Sequence, residues 1–246
     1  MKFLHWKIQL GLALICASAG LYALNYLIFR DANYMLRLFL AQLGFLPISV
    51  LLVTIILNQL LGLRAKAAKL AKLNMVIGAF FSEVGGALMK TLSIWDRHLA
   101  EFQQQVAHIS HWNAPDFAAF SQGLAEKDFP MQLQEGDLEA LRDFLLQKRD
   151  FLLRLLENPN LLEHDSFSSL LLAVFHLTEE LAQRTDLNRL SASDREHLAG
   201  DVQRGYVRLI KEWLAYMAHL QTRYPYLFSL ALRTNPFDPF ATPEIK

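Results

Sequence analysis

Two long apolar runs without a charged residue constrain the fold of this chain more than any other feature of its sequence. Residues 8–29 are 22 consecutive uncharged residues, and residues 38–63 are 26. A helix needs about 20 apolar residues to cross the ~30 Å hydrocarbon core of a bilayer, and its backbone groups must be satisfied within the segment. The runs therefore predict two transmembrane helices, joined by residues 30–37 into an antiparallel hairpin.

The charges that flank the two runs predict the orientation of this hairpin. Six Lys or Arg residues lie outside its two ends, whereas the linking segment carries two. The positive-inside rule then places both termini in the cytoplasm. The cations that follow the second run would also face anionic lipid headgroups, and they form a candidate membrane-surface site. They are Arg64, Lys66, Lys69 and Lys72.

A cleaved signal peptide is the alternative interpretation of the first run. Ala17-Ser18-Ala19 has the small-residue pattern of a cleavage site. The apolar run continues for ten residues beyond Ala19, however, which is longer than a signal peptide requires and favours an uncut anchor. Either interpretation leaves the larger part of the chain in the cytoplasm.

The remaining residues predict only helices, because their apolar positions recur at intervals of three and four and no long segment alternates with a period of two. The expected fold class is all-α, with an N-terminal two-helix transmembrane hairpin followed by a cytoplasmic helical bundle. Asn113 with Pro115 and Asp116 indicates the start of a helix over about 115–126, and further helices are expected over about 137–157 and 166–184. Ser193 with Glu196 is the predicted capping box of a long helix that ends before Pro225. The positions of this helix that are expected to face inward are Leu198, Val202, Tyr206, Leu209, Trp213, Met217 and Leu220. The predicted divisions are the hairpin (1–63), a basic juxtamembrane and stalk helix (64–112), a helical domain (113–233) and a Pro-rich extended tail (234–246).

Two local features qualify this division. Gly85-Gly86 interrupts the predicted stalk helix and indicates a kink or a close helix contact. The tail carries aromatic rings between prolines, and such rings cannot form a core of their own. We expect the rings to dock in a groove of this domain or of a partner.

Three pairs with a spacing of three residues are the candidate metal ligands. The spacing places both members on one helical face, and metal-binding bundles use Glu-x-x-His in this way. The order is reversed in two pairs. Most of these residues also fall between the apolar positions that recur along the predicted stalk helix, so surface pairs are the favoured interpretation. Trp95-Asp96-Arg97-His98 is likewise interpreted as a solvated helix face. The pairs are His98 with Glu101, His108 with His111, and His176 with Glu179.

Charge and cysteine content exclude several functional classes. The formal net charge is zero, but residues 91–246 carry fifteen Lys or Arg against twenty-two Asp or Glu, which does not favour nucleic-acid binding. Cys16 is the only cysteine, so the chain cannot form an internal disulfide. No catalytic or nucleotide-binding motif is present. The sequence therefore predicts no catalytic residue and no cofactor.

Two segments, 73–85 (LNMVIGAFFSEVG) and 223–228 (RYPYLF), resemble segments of uncharacterised bacterial two-span membrane proteins. The resemblance covers the hairpin and both ends of the helical domain. It implies a bacterial inner membrane, and it assigns no activity and no functional residue.

The leading hypothesis is a non-enzymatic, membrane-anchored scaffold or sensor module. We expect it to form homo-oligomers and to present its helical domain to a cytoplasmic protein partner. One alternative is a membrane-bound enzyme or metalloprotein that uses the interior of the bundle. Another is an oligomeric pore lined by the polar residues of the second run, Gln42, Asn58 and Gln59.

Overall fold

The computed structural model describes residues 2–124, 127–133, 137–159, 161 and 164–244. The chain divides into two compact units, residues 1–66 and residues 67–246. Within the described residues, the only strand-like feature is an isolated bridge between Asp96 and Met131. The predicted all-α fold class is therefore confirmed.

The first unit is a helical hairpin made of α1 (Lys2–Phe29) and the first part of α2 (Ala32–Phe80). Arg30 has a φ of 48°, the left-handed conformation that ends many helices. Asp31 begins the next helix, because its carboxylate accepts a hydrogen bond from the backbone N–H of Tyr34. The non-helical turn thus has two residues, and the rest of the linking segment 30–37 belongs to α2.

A polar contact joins the two helices of this hairpin. The hydroxyl of Tyr22 donates a hydrogen bond to Oε1 of Gln42. Such side-chain hydrogen bonds hold helices together where no water competes for the same groups. The two helices are not closely packed at Gly20, because an added Cβ there would meet no atom within 4 Å.

The hairpin has an uncovered apolar surface. No described side chain from residue 6 to residue 64 is buried. By length and composition, three helical segments are apolar enough to cross a membrane: Ile8–Phe29, Ala32–Arg64 and Lys72–Ser93. The first two have none of their apolar window buried, whereas 44% of the third is buried.

The second unit contains the end of α2 and seven further α-helices in the part of the chain that the structure describes. A π-helical turn (Phe81–Gly85) and a short 3-10 turn (Ile109–His111) separate some of them. The α-helices are α3 (Gly86–Ser93), α4 (Leu99–Val106), α5 (Ala114–Gly123), α6 (Asp137–Leu156), α7 (Asp165–Ala182), α8 (Ala192–Arg223) and α9 (Pro225–Arg233).

The core of this unit forms around α7 and α8, and the apolar periodicity of both helices explains why. The predicted inward face of α8 is confirmed, since every one of its predicted positions is buried. Those positions are Leu198, Val202, Tyr206, Leu209, Trp213, Met217 and Leu220. On α7 the buried apolar positions are Phe167, Leu170, Leu171, Val174, Leu177 and Leu181.

Residues 64–112 do not form the predicted single stalk helix. The helix changes to a π-helical turn after Phe80, and a non-helical segment follows Ser93. Many apolar residues of 73–109 lie in the core of the second unit, where the Phe80 ring contacts Phe167 with centroids 5.4 Å apart. The side chains of Lys66 and Lys69 lie outside the described residues, and those of Arg64 and Lys72 are exposed.

Helix caps confirm one prediction and correct another. Asn113 and Asp116 form a reciprocal capping box at the start of α5, as the sequence indicated. The N-cap of α8 is Ser191, whose hydroxyl accepts from the N–H of Asp194, so the predicted capping box at Ser193 and Glu196 is wrong. Ser193 lies inside the helix, and its hydroxyl contacts that of Ser191.

The tail docks on its own domain through one ring. Phe237 is 2% exposed, and its ring lies 4.7 Å from that of Phe102 and 5.2 Å from that of Trp213. The expected docking groove on this domain is therefore confirmed for Phe237. Phe240, three residues later, is 87% exposed.

The π-helical turn depends on a missing side chain at Gly85. A Cβ there would lie 2.7 Å from a ring carbon of Phe81 and 2.8 Å from one of the fully buried Phe80. We expect Gly85→Ala to lower the free energy of unfolding by about 1–3 kcal/mol, because the rings must leave their positions. The measurement is chemical denaturation of the full chain in detergent, followed by tryptophan fluorescence.

Gly205 provides the matched control for this change. It is also a helical glycine of the second unit, but a Cβ there meets no atom within 4 Å. Gly205→Ala should be neutral or stabilising by about 0.5–1 kcal/mol. Equal effects of the two substitutions would contradict the packing described for Gly85.

Candidate functional site

Four of the six histidine-pair candidates lie on the surface, and two of them, His98 and Glu101, line one open pocket. His98, Glu101, His108 and His111 are exposed. Within the part of the chain that the structure describes, no ion pair joins His98 to Glu101. His108 and His111 are linked through their backbones, because the N–H of His111 donates to the carbonyl of His108 at 2.9 Å. Their interpretation as surface residues agrees with these positions.

The segment from Trp95 to His98 is not the predicted solvated helix face. Asp96 is buried in a turn, where its Oδ1 accepts the backbone N–H of His98 at 2.9 Å. The turn is held to a distant segment, because the carbonyl of Trp95 accepts the N–H of Gln132 at 2.8 Å. Burial raises the pKa of the Asp96 carboxyl, since it disfavours the charged form.

His176 lies beside Glu180 and not beside Glu179, which is its partner in the predicted pair. Glu179, the predicted partner, instead forms an ion pair with Arg149 at 3.0 Å. The imidazole of His176 lies near Glu180, one residue further along α7. A separation of four residues places both side chains on one helical face, as a separation of three does.

A second His–acid pair on α8 completes a group that we call the α7–α8 cluster: His176, Glu180, His197 and Asp201. His197 and Asp201 are also four residues apart, with Nε2 and Oδ2 separated by 3.3 Å. Contacts between the helices are of similar length, with His176 Nε2 at 3.5 Å from Asp201 Oδ2 and His197 Nε2 at 3.7 Å from Glu180 Oε2. Each histidine therefore faces both carboxylates.

Asp201 is the buried member of the α7–α8 cluster. It is 2% exposed, and neither of its carboxylate oxygens has a hydrogen-bond partner among the described residues. Arg204 forms an ion pair with Oδ1 but without hydrogen-bond geometry. Because a buried charge is costly unless it is paired and hydrogen-bonded, Asp201 needs the positive charge that surrounds it.

Arg184 fixes the position of Glu180. Its Nη1 donates to Glu180 Oε2 at 2.7 Å, and its Nη2 donates to Asp194 Oδ1 at 2.6 Å. Hydrogen bonding by this guanidinium lowers the pKa of both carboxyl groups. Glu180 therefore carries a full negative charge at neutral pH, with Oε1 directed to His176.

This arrangement offers imidazole nitrogens and carboxylate oxygens to one small volume. Glu180, His197 and Asp201 each place a donor atom within 4.8 Å of the other two. Such a set is able to hold a cation or to form an ion-pair network with protonated histidines. It includes no hydroxyl or thiol nucleophile among the four side chains. The sequence signal for the set is a His-x-x-x-acid spacing on two consecutive helices.

A serine–histidine contact at the start of α7 has a structural role. Ser166 Oγ lies 3.2 Å from His164 Nδ1. The same nitrogen accepts the backbone N–H of Phe167 at 3.3 Å and so caps the helix. It is thus engaged by the helix and not free to activate the hydroxyl.

Comparison with known proteins places both units of the chain in one family. Residues 69–233 match the family "Uncharacterized protein MJ1433, C-terminal helical domain", and residues 1–61 match "MJ1433, N-terminal helical domain". A relative from the archaeon Methanocaldococcus jannaschii, named Uncharacterized protein MJ1433, is 43% identical over 234 residues, which are 95% of this chain and 94% of that protein. No solved structure matches the chain.

These matches define the chain as an all-helical protein with an N-terminal and a C-terminal helical part. It belongs to the family of the uncharacterized protein MJ1433. The resemblance to an uncharacterised family is therefore confirmed at this level. The family descriptions assign no activity, and the relative named above is archaeal and not bacterial.

The buried Asp96 predicts a pH-dependent gain of stability on substitution. Its folded pKa is raised, so its contribution to stability is fully present at pH values below the unfolded pKa of 3.8 and is lost as pH rises through the folded value. We expect Asp96→Asn, which keeps an acceptor for the His98 N–H, to raise the melting temperature at pH 7. The gain should shrink towards pH 4.

The measurement is thermal unfolding of both proteins in detergent at the two pH values. The exposed Asp128→Asn is the control, because that carboxylate is in contact with solvent. An equal increase in melting temperature at pH 7 and pH 4 would show that the burial of a charge at Asp96 is not the cause of the increase.

Proposed function

We propose that this protein is a membrane-anchored scaffold or sensor module. In this proposal, α1 and residues 38–63 of α2 cross the cytoplasmic membrane as a hairpin. The helical domain lies in the cytoplasm, with both chain termini on the same side. The single observation that carries the proposal is the uncovered apolar surface of the hairpin.

The size of that surface supports a lipid environment. Among the described residues, thirty of the exposed large apolar side chains lie within residues 6–63, against eight in all later residues. Soluble monomers rarely expose contiguous apolar patches larger than a few hundred Å². The polar atoms of Tyr22 and Gln42 satisfy each other between the helices, which lowers the cost of placing them in hydrocarbon.

Lys72–Ser93 qualifies as a third span by length and composition, and its packing argues for a different role. Phe80, Val84 and Leu88 from this segment have no exposed surface in the second unit. Moving the segment into lipid would remove these side chains from that core. We therefore propose two spans, which keep the domain on the side of the N-terminus.

The proposed location is the cytoplasmic membrane of a prokaryotic cell. A bacterial inner membrane is what the sequence resemblance implies, and the region proposed to cross the membrane is the one that matches the N-terminal helical domain of the family, residues 1–61. The basic residues after the second span, including Arg64 and Lys72, supply the inside-positive signal. Their proposed contact is with anionic headgroups.

Cysteine labelling tests this topology in the intact cell. Two single-cysteine variants are made in a Cys16→Ser background and treated with a membrane-impermeant maleimide. Asn33→Cys lies next to the hairpin turn, and Ser193→Cys lies in the helical domain; both positions are exposed. We expect Asn33→Cys to react in intact cells and Ser193→Cys only after lysis. Extraction of the protein should require detergent and not salt or alkali.

Two outcomes would contradict the proposal. A three-span protein would expose Ser193→Cys to the outside, and a protein released from membranes by alkali would not be an integral membrane protein. Labelling of Ser193→Cys after lysis is the control, because it shows that the maleimide is able to reach this position.

We also propose that the module forms homo-oligomers. The domain carries exposed apolar side chains at Tyr226, Leu227 and Leu230 on α9, and at Phe240 beyond it. Exposed apolar clusters are common where proteins associate. Mass measurement in detergent should give a multiple of the 28.1 kDa chain after correction for detergent.

Leu230→Glu, which places a charge in this surface, should lower that mass. Leu172→Glu is the control, because Leu172 is also an exposed leucine of the second unit but lies on α7. A strictly monomeric wild-type protein would contradict the oligomer.

A further inference from the structure

We propose that the α7–α8 cluster is a binding site for one divalent first-row transition metal ion, of which Zn²⁺ is the best fit. The ligands are His176 and Glu180 from α7, and His197 and Asp201 from α8. This proposal does not depend on the membrane topology, since all four residues belong to the second unit.

The separations between donor atoms are close to those of one tetrahedral ion. Zn–N and Zn–O distances of about 2.0–2.2 Å imply ligand atoms about 3.3–3.6 Å apart in a tetrahedron. Asp201 Oδ2 lies 3.3 Å from Nε2 of His197 and 3.5 Å from Nε2 of His176, which is within this range. Glu180 approaches the two imidazoles with different oxygens, Oε1 at 3.8 Å from His176 and Oε2 at 3.7 Å from His197. Binding therefore requires the Glu180 carboxylate to turn so that one oxygen faces both imidazoles.

The carboxylate of Asp201 provides an independent indication of cation binding. It is almost completely buried, and neither oxygen accepts a hydrogen bond among the residues that the structure describes, although Oδ1 forms an ion pair with Arg204. Buried polar groups are nearly always satisfied by protein, water or an ion. A metal ion between the two imidazoles would occupy the side of the carboxylate on which both histidines lie.

The donor set selects the class of metal. Two imidazoles with two carboxylates suit Zn²⁺ and neighbouring ions, whereas Ca²⁺ and Mg²⁺ prefer sites made of oxygen alone. The two carboxylates would also balance the charge of a divalent ion. The half-exposed rings of His176 and His197 leave a path from solvent to the inward-facing nitrogens.

Arg184 positions one of the ligands. It binds Glu180 Oε2 and the backbone carbonyl of the same residue, and it is itself held by Asp194. Partners of this kind fix the orientation of a ligating side chain and are a regular part of metal sites. Glu180 Oε1 is left free to face the ion.

Arg204 competes with the ion for Asp201. Its guanidinium forms an ion pair with Oδ1 of that carboxylate, while more than half of its side chain is exposed. It also lines an open cleft with Lys127, Arg208 and Lys211, into which it is able to turn. We infer that Arg204 neutralises Asp201 in the metal-free protein and is displaced when the ion binds.

Metal titration of the purified full chain in detergent tests the site. After removal of metals by a chelator, Zn²⁺ is titrated against a chromophoric chelator, and Co²⁺ binding is followed by visible absorption. We expect about one ion per chain and the intense absorption of tetrahedral Co²⁺. A substoichiometric ion content, or the weak spectrum of octahedral Co²⁺, would overturn the proposal.

Two pairs of variants assign the ion to this cluster. Glu180→Gln and His176→Gln should each weaken binding by more than about tenfold, because the loss of even an indirect partner of a ligand costs 10–100-fold. Glu179→Gln and His98→Gln are the matched controls, one beside Glu180 on α7 and one on the surface, and neither should change affinity. Loss of binding in the controls instead would locate the ion on surface histidines and contradict the assignment.

Two further variants separate metal binding from folding. Asp201→Asn keeps the shape of the side chain and should abolish tight binding, with an unchanged far-ultraviolet spectrum as the folding check. Arg204→Gln removes the competitor and should tighten Zn²⁺ binding several-fold, a result that a merely misfolded site cannot give. Unchanged or weaker affinity in Arg204→Gln would contradict the displacement step.

Discussion

An apolar side chain that no protein atom covers must be covered by something else, and the rest of this structure follows from that constraint. From residue 6 to residue 64 the described side chains form a hairpin without a core. The second unit, in contrast, buries its apolar residues around α7 and α8. One chain therefore contains an apolar surface that no described residue covers and an apolar core that is shielded by protein.

Most of the helices could be predicted because their apolar periodicity is local. The spacing of apolar residues predicts the inward face of α8 from Leu198 to Leu220 correctly. The start of α5 at Asn113 is predicted from the residues that follow it. The division of residues 64–112 could not be predicted in this way. The π-helical turn depends on rings packing against Gly85, and the turn at Asp96 depends on Pro130 and Gln132, which are distant in sequence.

The α7–α8 cluster shows the same limit at the level of the site. A spacing of three residues predicts Glu179 as the partner of His176, whereas the structure pairs His176 with Glu180. The sequence contains the spacing of four on both helices, at His176 and Glu180 and at His197 and Asp201. What it does not contain is the packing that brings these two pairs together. The position of Asp201 gives a partial indication that this acid is buried, because it lies next to Val202 on the apolar face of α8.

The membrane proposal depends on the environment of the hairpin, and this is measured most directly with spin labels. Single cysteines, each carrying a nitroxide, would be introduced at successive positions from 38 to 63 in a Cys16→Ser background, with the protein in liposomes. Collision with oxygen should be greatest near the middle of this segment, and collision with a water-soluble nickel complex should be greatest at its two ends. A high nickel accessibility at the middle positions, or one that rises and falls with each helical turn, would contradict a membrane-spanning helix.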